Sequence, residues 1–276
     1  MRIYLDHNAT TPVDSTVIEA MDDCLRNCFG NPSSVHAYGQ TAKAALDGGR
    51  AAVAELLNGQ PSEILFTGSG TEADNLALRG LAAAVQPGTK SHLIATTIEH
   101  EAVLNTLKAL NRTGWTTSLL PVDETGTVDP TSLEQVITDD TALVSVMHAN
   151  NEIGTIQPIS ELATIAHQHG ALFHTDAVQT AGKYPIDVAT LGVDLLSISA
   201  HKFNGPKGVG ALWVRRGTRL ISEMTGGSQE KNRRAGTENV PAIVGLGVAA
   251  RLAKKAVEHQ SKVTAKLRDD LESGIL

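Results

Sequence analysis

Short apolar runs alternate along the chain with longer segments of helical periodicity, and this alternation restricts the fold more than any other feature of the sequence. Most of the runs are apolar on both faces, which is typical of a mainly parallel sheet with helices on both sides. We therefore predict an α/β fold built on such a sheet. The predicted strands cover residues 63–67, 91–96, 142–147, 171–174, 195–198 and 210–214. The predicted helices cover residues 14–27, 39–57, 71–84, 100–111, 158–168 and 241–271.

Two of these helices have features that lead to further predictions. Gly48 and Gly49 lie inside the second helix, and each glycine costs about 1 kcal/mol relative to alanine, so we expect a kink or break there. The last helix is amphipathic over residues 249–271, and an apolar face needs something to pack against. Either this helix folds back on the N-terminal segment or a partner surface covers it.

Composition excludes several classes of function. The chain has 276 residues with 30 acidic and 23 basic side chains, a net charge of -7 that does not attract nucleic acid or anionic lipid. Its two cysteines cannot form a disulfide framework, and no apolar stretch approaches the roughly 20 residues that span a bilayer. Because the start lacks a secretory hydrophobic region, we expect a soluble cytoplasmic protein that is not bound to a membrane.

The strongest local signal for chemistry is a polar turn at the end of a predicted strand. Residues 199–202 place a hydroxyl, an imidazole and the amine of Lys202 together, and the glycine-rich residues 205–210 follow. Glycine lets the backbone approach a ligand closely, so Lys202 is a candidate for a lysine that forms a Schiff base. The alternative is a solvated lysine at the end of a strand.

A second signal is a glycine-rich turn at residues 67–72, here called the anion turn, which follows a strand and opens a helix. Free N–H groups and the helix dipole favour an anion there, and the hydroxyls of Ser69 and Thr71 add donors. The glycine spacing fits neither a mononucleotide loop nor a dinucleotide fingerprint. The alternative is that Thr71 simply caps the helix.

A third signal is Asp176, which follows the strand at residues 171–174. A carboxylate at this edge of a sheet needs a cation or strong donors, and a protonated heterocyclic nitrogen would be such a donor. The alternatives are a helix cap or a salt bridge.

Three further residues are also candidates. His100 could lie flat on a planar cofactor, or could be an ordinary polar loop residue. Cys24 and Cys28 could form half of a metal site, but no second pair exists, so we interpret them as structural thiols.

Taken together, these motifs resemble the cysteine desulfurases of the NifS/IscS type, pyridoxal-phosphate enzymes of aminotransferase class V. The resemblance covers nearly the whole chain in order. It runs through residues 4–12, 30–34, 67–75, 99–100, 148–154, 174–179, 199–210 and 226–240. It implies the large domain of a fold type I transferase at residues 15–240. Residues 1–14 would then associate with a small C-terminal domain, and residues 241–276 would form a long helix leading into that domain.

The resemblance also implies a role for each matching residue. Lys202 would hold pyridoxal 5′-phosphate and move protons, Asp176 would keep the pyridine nitrogen protonated, and His100 would stack on the ring and act as an acid or base. Gln179 would bind the phenolic oxygen, with Asn151 near it. The residues expected at the phosphate are Gly70, Thr71, Ser199 and His201, with Thr237 reaching the phosphate of a second subunit in a homodimer.

One departure from the family pattern affects the expected activity. In the family, a loop cysteine takes the substrate sulfur and an arginine binds the substrate carboxylate, and both lie in a C-terminal region that these 276 residues do not include. The chain therefore resembles a C-terminally truncated desulfurase. The expected substrate is L-cysteine, the expected products are L-alanine and a persulfide, and a possible sulfur acceptor is an iron–sulfur scaffold protein. The alternatives are a non-catalytic cofactor-binding or interaction module, a selenocysteine lyase, or a transaminase.

Overall fold

The protein is described by a computed structural model that covers residues 2–276. Its centre is a seven-stranded sheet with the spatial order β1-β7-β6-β5-β4-β2-β3. The strands are β1 (Ile64–Thr67), β2 (His92–Thr96), β3 (Thr116–Leu120), β4 (Thr141–Ser145), β5 (Leu172–Asp176), β6 (Leu195–Ser199) and β7 (Gly210–Val214). Only β7 runs antiparallel to its neighbours, β1 and β6. The prediction of a mainly parallel sheet is confirmed.

The helices lie on both faces of the sheet, as predicted. They are α1 (Ser15–Asn27), α2 (Ala37–Leu56), α3 (Gly70–Ala84), α4 (Glu101–Asn111), α5 (Pro130–Val136), α6 (Ile159–Gln168), α7 (Val188–Leu191), α8 (Gln229–Asn232) and α9 (Val240–Ile275). Short 3-10 turns occupy Pro61–Glu63 and Ala200–Lys202. One apolar cluster joins the sheet to α2, α6 and α9, and a second joins the other face to α3 and α4.

Successive residues of the strands enter opposite clusters, because side chains alternate across a sheet. Leu195 and Leu212 belong to the cluster with α3 and α4, whereas their neighbours Leu196 and Trp213 belong to the cluster with α2 and α9. This explains why most strand positions are apolar on both faces. The buried polar residues His174 and Ser197 are exceptions inside β5 and β6.

Strand β3 was not predicted, and the reason is its position at the edge of the sheet. It pairs only with β2, and four of its five residues are partly or fully exposed. The sequence Thr-Thr-Ser-Leu-Leu therefore lacks the continuous apolar run that marks the inner strands. The short helices α5 and α7 were also missed, because seven and four residues are too few to show a helical period. The segment α8 was missed too, and three of its four residues have left-handed backbone angles.

The predicted kink at Gly48 and Gly49 is wrong: α2 is one continuous helix. A Cβ atom on Gly49 would lie 2.8 Å from the carbonyl oxygen of Ile243, and one on Gly247 would lie 2.6 Å from the Cα atom of Gly49. Gly49 and Gly247 therefore allow α2 and α9 to pack in backbone contact. The propensity penalty of Gly49 is offset by this close packing.

The first half of α9 packs on α1 and α2. For the amphipathic residues 249–271, the predicted fold-back is therefore observed only over their first part. Its buried side chains end at Val257. Beyond that point the apolar side chains are open to solvent, and Leu267 is 63% exposed. No helix within residues 2–276 is long and apolar enough to cross a membrane.

Candidate active site

A cavity of about 550 Å³, here called the site cavity, opens where two parallel strands end and α3 begins. Asp176 is the last residue of β5, Ser199 is the last residue of β6, and Gly70 is the first residue of α3. The carboxyl ends of parallel strands meet at one edge of a sheet, which is the usual place for a ligand in α/β proteins.

Nine of the ten residues predicted to bind a cofactor line this cavity. They are Gly70, Thr71, His100, Asn151, Asp176, Gln179, Ser199, His201 and Lys202. The tenth, Thr237, is exposed on the loop after α8 and does not line the cavity. The order of the strands thus brings together residues that are far apart in the sequence. Gly70 and Lys202, for example, are separated by 132 positions.

The anion turn forms a tight cradle at the start of α3. Ser69 caps the helix, because its hydroxyl accepts a hydrogen bond of 3.1 Å from the backbone N–H of Glu72. The alternative that Thr71 is the cap is therefore wrong. A Cβ atom on Gly70 would lie 2.8 Å from Val178 Cγ2 and 3.3 Å from Ser199 Cβ, so a side chain at this position would fill the cradle.

Lys202 lies in the 3-10 turn directly after β6 and reaches the site cavity. It is half-buried, and its amine donates a hydrogen bond to the backbone carbonyl of Asn8. Burial lowers the pKa of the Lys202 amine, while the carboxylates of Asp176 and Asp6 act in the opposite direction. A lysine with a lowered pKa reacts more readily as a nucleophile, and this setting differs from that of a solvated lysine.

Asp176 is 5% exposed, and one of its carboxylate oxygens accepts a 2.9 Å hydrogen bond from the backbone N–H of Val178. Burial raises its pKa, while the nearby charges of His100 and Lys202 oppose that shift. Within residues 2–276, no lysine or arginine nitrogen lies within ion-pair distance of this carboxylate. Its interactions therefore leave room for a further hydrogen-bond donor from the cavity.

His100 caps α4, and its Nδ1 atom accepts a 3.0 Å hydrogen bond from the backbone N–H of Ala102. This contact makes Nδ1 an acceptor, so a proton carried by the neutral ring is on Nε2. His201 also lines the cavity, with Nδ1 at 3.1 Å from the Thr10 hydroxyl. Burial lowers the pKa of His201, and neighbouring lysines add to the shift.

The N-terminal segment closes one side of the site cavity. The carbonyl of Asn8 accepts hydrogen bonds from Lys202 and from the Gln179 amide, the latter at 2.9 Å. The Asn8 amide donates a 3.1 Å hydrogen bond to the carbonyl of Asn151. Reasoning from the residues did not select Asn8, although it lies in the first motif of the resemblance. Asp74 was also missed, because one acidic residue inside a helix carries no distinctive signal.

The two cysteines lie away from the site cavity, on α1 and at its end. Cys24 is buried and Cys28 is partly buried. Burial raises the pKa of the Cys24 thiol to about 12, and Cys28 beside it adds to the shift. The part of the chain that the structure describes contains no cluster of three side chains that could hold a metal ion. Both cysteines are consistent with structural thiols.

Comparisons with known proteins place the chain among one group of enzymes. The aminotransferase class-V family model matches residues 3–276. The chain is 50% identical over 274 residues to "Cysteine desulfurase IscS" from Methanosarcina thermophila, covering 99% of this chain and 68% of that protein. It is 48% identical over 275 residues to "Cysteine desulfurase NifS" from Azotobacter vinelandii, with the same coverage. The chain thus spans about two thirds of the length of these relatives.

Solved structures agree with the sequence relatives. A structure titled "NIFS-LIKE PROTEIN" has a TM-score of 0.97 and 44% identity, covering 100% of this chain and 76% of that one. A structure titled "SspA in complex with cysteine" has a TM-score of 0.87 and 41% identity, covering 90% of this chain and 72% of that one. Both the fold and the family resemblance predicted from the sequence are confirmed.

Proposed function

This chain belongs to the class V aminotransferase family, where its relatives are cysteine desulfurases, and we propose that its site cavity binds pyridoxal 5′-phosphate and removes sulfur from L-cysteine. The observation that carries the proposal is the arrangement of three groups around one cavity. The amine of Lys202, the buried carboxylate of Asp176 and the anion turn at the start of α3 all line it.

The residues present fit this cofactor. A helix N-terminus favours a phosphate, and Gly70 leaves the space that a side chain would fill. Ser199, His201 and Thr71 surround the same end of α3 and would complete the phosphate site. Asp176 would accept a hydrogen bond from the protonated ring nitrogen, and His100 would stack on the ring. Gln179 and Asn151 would bind near the phenolic oxygen. When bound, the cofactor supplies an electron-withdrawing ring that stabilises negative charge developing on the substrate.

The chain's own residues can hold and move the protons that the reaction needs. Lys202 would hold the cofactor through its amine and, once released from it, take and return a proton at the Cα atom of cysteine. Its lowered pKa favours this task, because the neutral amine is the form that takes up a proton. His100 has Nδ1 occupied by the backbone of Ala102, so any proton that it transfers passes through Nε2.

The net reaction transfers one sulfur atom. L-cysteine and an acceptor thiol give L-alanine and a persulfide: the bond between Cβ and sulfur breaks, a sulfur–sulfur bond forms, and Cβ gains a proton. The two cysteines of the sequence do not line the cavity. We infer that the acceptor thiol comes from outside these 276 residues, and an iron–sulfur scaffold protein is one possible final acceptor.

Several finer features belong to the same proposal. Thr237, exposed outside the cavity, would reach the phosphate bound by a second subunit, which requires a homodimer. Residues 15–240 would form the cofactor-binding domain, with residues 1–14 and 241–276 leading to a small domain. A cytoplasmic location would suit an enzyme that handles thiols.

The test of the cofactor step is binding to the purified chain. With pyridoxal phosphate added, the wild type should develop the visible absorbance of a lysine adduct, and borohydride should fix the cofactor on Lys202 in a peptide map. K202A should lose both signals. Lys207 is exposed and outside the cavity, so K207A should keep both. A wild type without the absorbance, or an adduct mapped to another lysine, would refute this step.

The test of the reaction offers L-cysteine with an excess of a small thiol and measures alanine and persulfide. Equal amounts of both, formed faster than with free cofactor, support a desulfurase. Cofactor binding without products would support the non-catalytic module instead. Selenocysteine and a mixture of alanine with a keto acid, offered in parallel, test the lyase and transaminase alternatives. The comparisons do not favour these alternatives, since the curated relatives are named cysteine desulfurases.

A further inference from the structure

A row of four buried polar side chains lies behind the site cavity and has no part in the function proposed above. We call it the buried row; it consists of Ser145, His174, Ser197 and Asp74, each no more than 1% exposed. The Ser145 hydroxyl lies 2.8 Å from His174 Nδ1, and the Ser197 hydroxyl lies 3.0 Å from His174 Nε2. The row crosses β4, β5 and β6 and ends on α3.

Asp74 is the end of the buried row that touches the site cavity. Its Oδ1 atom lies 3.6 Å from His174 Nε2, and no hydrogen bond of ordinary geometry reaches this oxygen from residues 2–276. An ionised carboxylate buried with an unpartnered oxygen is strongly disfavoured. A neutral carboxyl group carries only a small part of that penalty.

The charged groups around Asp74 make its ionisation still less favourable. Burial raises its pKa well above the ordinary value, and the carboxylate of Asp176 raises it further, while Ser197 opposes the shift only in part. A second buried acid, Glu99, also has one carboxyl oxygen unpartnered among the described residues. The positive charge of Lys202 acts on Asp176.

His174 is the other titratable member of the buried row. Burial lowers its pKa to about 3, so the ring is neutral at neutral pH. A neutral imidazole donates from one nitrogen and accepts at the other. With one serine at each nitrogen, the tautomer of His174 depends on the direction of hydrogen bonding along the whole row.

We propose that Asp74 is a positioning residue that remains a neutral acid, and that its proton sets the direction of the hydrogen bonds in the buried row. The protonated Oδ1 of Asp74 faces His174 Nε2 at 3.6 Å, so this nitrogen accepts its hydrogen bond from the Ser197 hydroxyl, and His174 donates from Nδ1 to Ser145. Asp176 is then the ionised carboxylate at this wall of the cavity. That last consequence rests on the proposed function, whereas the state of the buried row does not.

The opposite protonation state reverses every bond in the row. An ionised Asp74 would favour a proton on the facing His174 Nε2, which would then donate to Ser197, and His174 Nδ1 would accept from Ser145. The two states therefore differ in the position of the His174 ring proton. This difference can be measured without cofactor, substrate or catalytic activity.

The decisive measurement is nitrogen NMR of the cofactor-free wild type labelled with 15N-histidine at neutral pH. The His174 signal is the one missing from an H174Q sample. We expect the tautomer protonated on Nδ1. Protonation on Nε2 would overturn the proposal, and because the wild-type spectrum decides between the two, this reading does not depend on the folding of an Asp74 variant.

A second measurement identifies the carboxyl proton itself. The infrared spectrum of the cofactor-free wild type should contain a protonated-carboxyl C=O band that is lost in D74N and retained in E99Q. If D74N folds and its spectrum keeps every protonated-carboxyl band of the wild type, Asp74 is ionised and the proposal is wrong. A failure to bind pyridoxal phosphate would refute the proposed function and leave both measurements unaffected.

Discussion

Inside the protein, Arg50 holds the carboxylate of Glu230 through two hydrogen bonds of 2.9 Å and 2.6 Å. The same carboxylate accepts a 2.9 Å bond from the backbone N–H of Phe66 on β1. Glu230 and the two residues after it have positive φ angles of 43°, 60° and 64°, which is an unfavourable conformation for residues other than glycine. The buried ion pair therefore holds a left-handed turn at the start of the loop that carries Thr237.

A second contact attaches the same loop to the anion turn. Arg234 donates a 2.8 Å hydrogen bond to Glu72, and Glu72 accepts a 2.7 Å bond from the backbone N–H of Gly68. The loop and the anion turn are thus linked through two partly exposed side chains that do not line the cavity. This link fixes the loop that carries Thr237, although Thr237 itself does not line the cavity of its own subunit.

The Arg50–Glu230 pair leads to a stability prediction. Removing one partner of a buried pair leaves the other charge uncompensated, so R50M should lower the free energy of unfolding by about 3–5 kcal/mol. The measurement is denaturant unfolding followed by circular dichroism. R26Q, which breaks the exposed pair between Arg26 and Asp22, is the control and should leave the midpoint unchanged. Equal effects of R50M and R26Q would contradict the prediction.

The contact between α2 and α9 gives a matched pair of glycine variants. G247A should destabilise the protein by about 1–3 kcal/mol, because the added Cβ would lie 2.6 Å from the Gly49 backbone. G48A should stabilise it by about 0.5–1 kcal/mol, since a Cβ there meets no atom within 4 Å and alanine favours a helix. Opposite shifts in thermal midpoint support this account, and shifts of the same sign argue against it.

Glu99 predicts a dependence of stability on pH. Burial raises its pKa from 4.5 to about 8, so between these values the folded protein keeps a proton that the unfolded chain releases. Stability therefore falls as the pH rises through this range, by a few kcal/mol in total. E99Q keeps the size of the side chain and removes the proton, so its stability relative to the wild type should increase from about pH 5 to about pH 9. A constant difference across that range would count against a raised pKa.

Asp176 should show opposite effects on stability and on function. Because burial raises its pKa, D176N should leave the cofactor-free protein as stable as the wild type or more stable. The same variant should bind pyridoxal phosphate more weakly, since an amide does not stabilise a protonated ring nitrogen. Thermal unfolding with and without cofactor measures both effects. The control D139N, at a fully exposed carboxylate, should change neither quantity. Unaltered cofactor binding in D176N would show that Asp176 does not contact the cofactor.

The two thiols should differ in reactivity and should both be dispensable for sulfur release. With a pKa of about 12, Cys24 should resist an aromatic disulfide reagent until the protein unfolds, whereas the partly buried Cys28 should react earlier. In the presence of an added thiol acceptor, the C24A and C28A variants should each form alanine at the wild-type rate. A large loss in either variant would show that the acceptor thiol is one of the chain's own.

The sequence predicted the inner strands and the long helices because burial on both faces leaves a continuous apolar run, and a long amphipathic helix repeats its period several times. It missed β3, which is half exposed at the sheet edge, and it predicted a kink where Gly49 instead meets Gly247. In both cases the deciding contact is with a segment distant in sequence. Local propensity carries no information about that contact.

For the site, the sequence by itself determined which chemical groups are present: the amine of Lys202, the carboxylate of Asp176 and the glycine-rich turn beside Ser69. Each follows a strand, and the ends of parallel strands converge. The tertiary structure alone decided that Asn8 closes the cavity, that Ser69 rather than Thr71 caps α3, and that Asp74 lies buried against His174. The physical reason is that capping, burial and pKa shifts depend on neighbours within a few ångströms, and most of these neighbours lie on other elements of the fold.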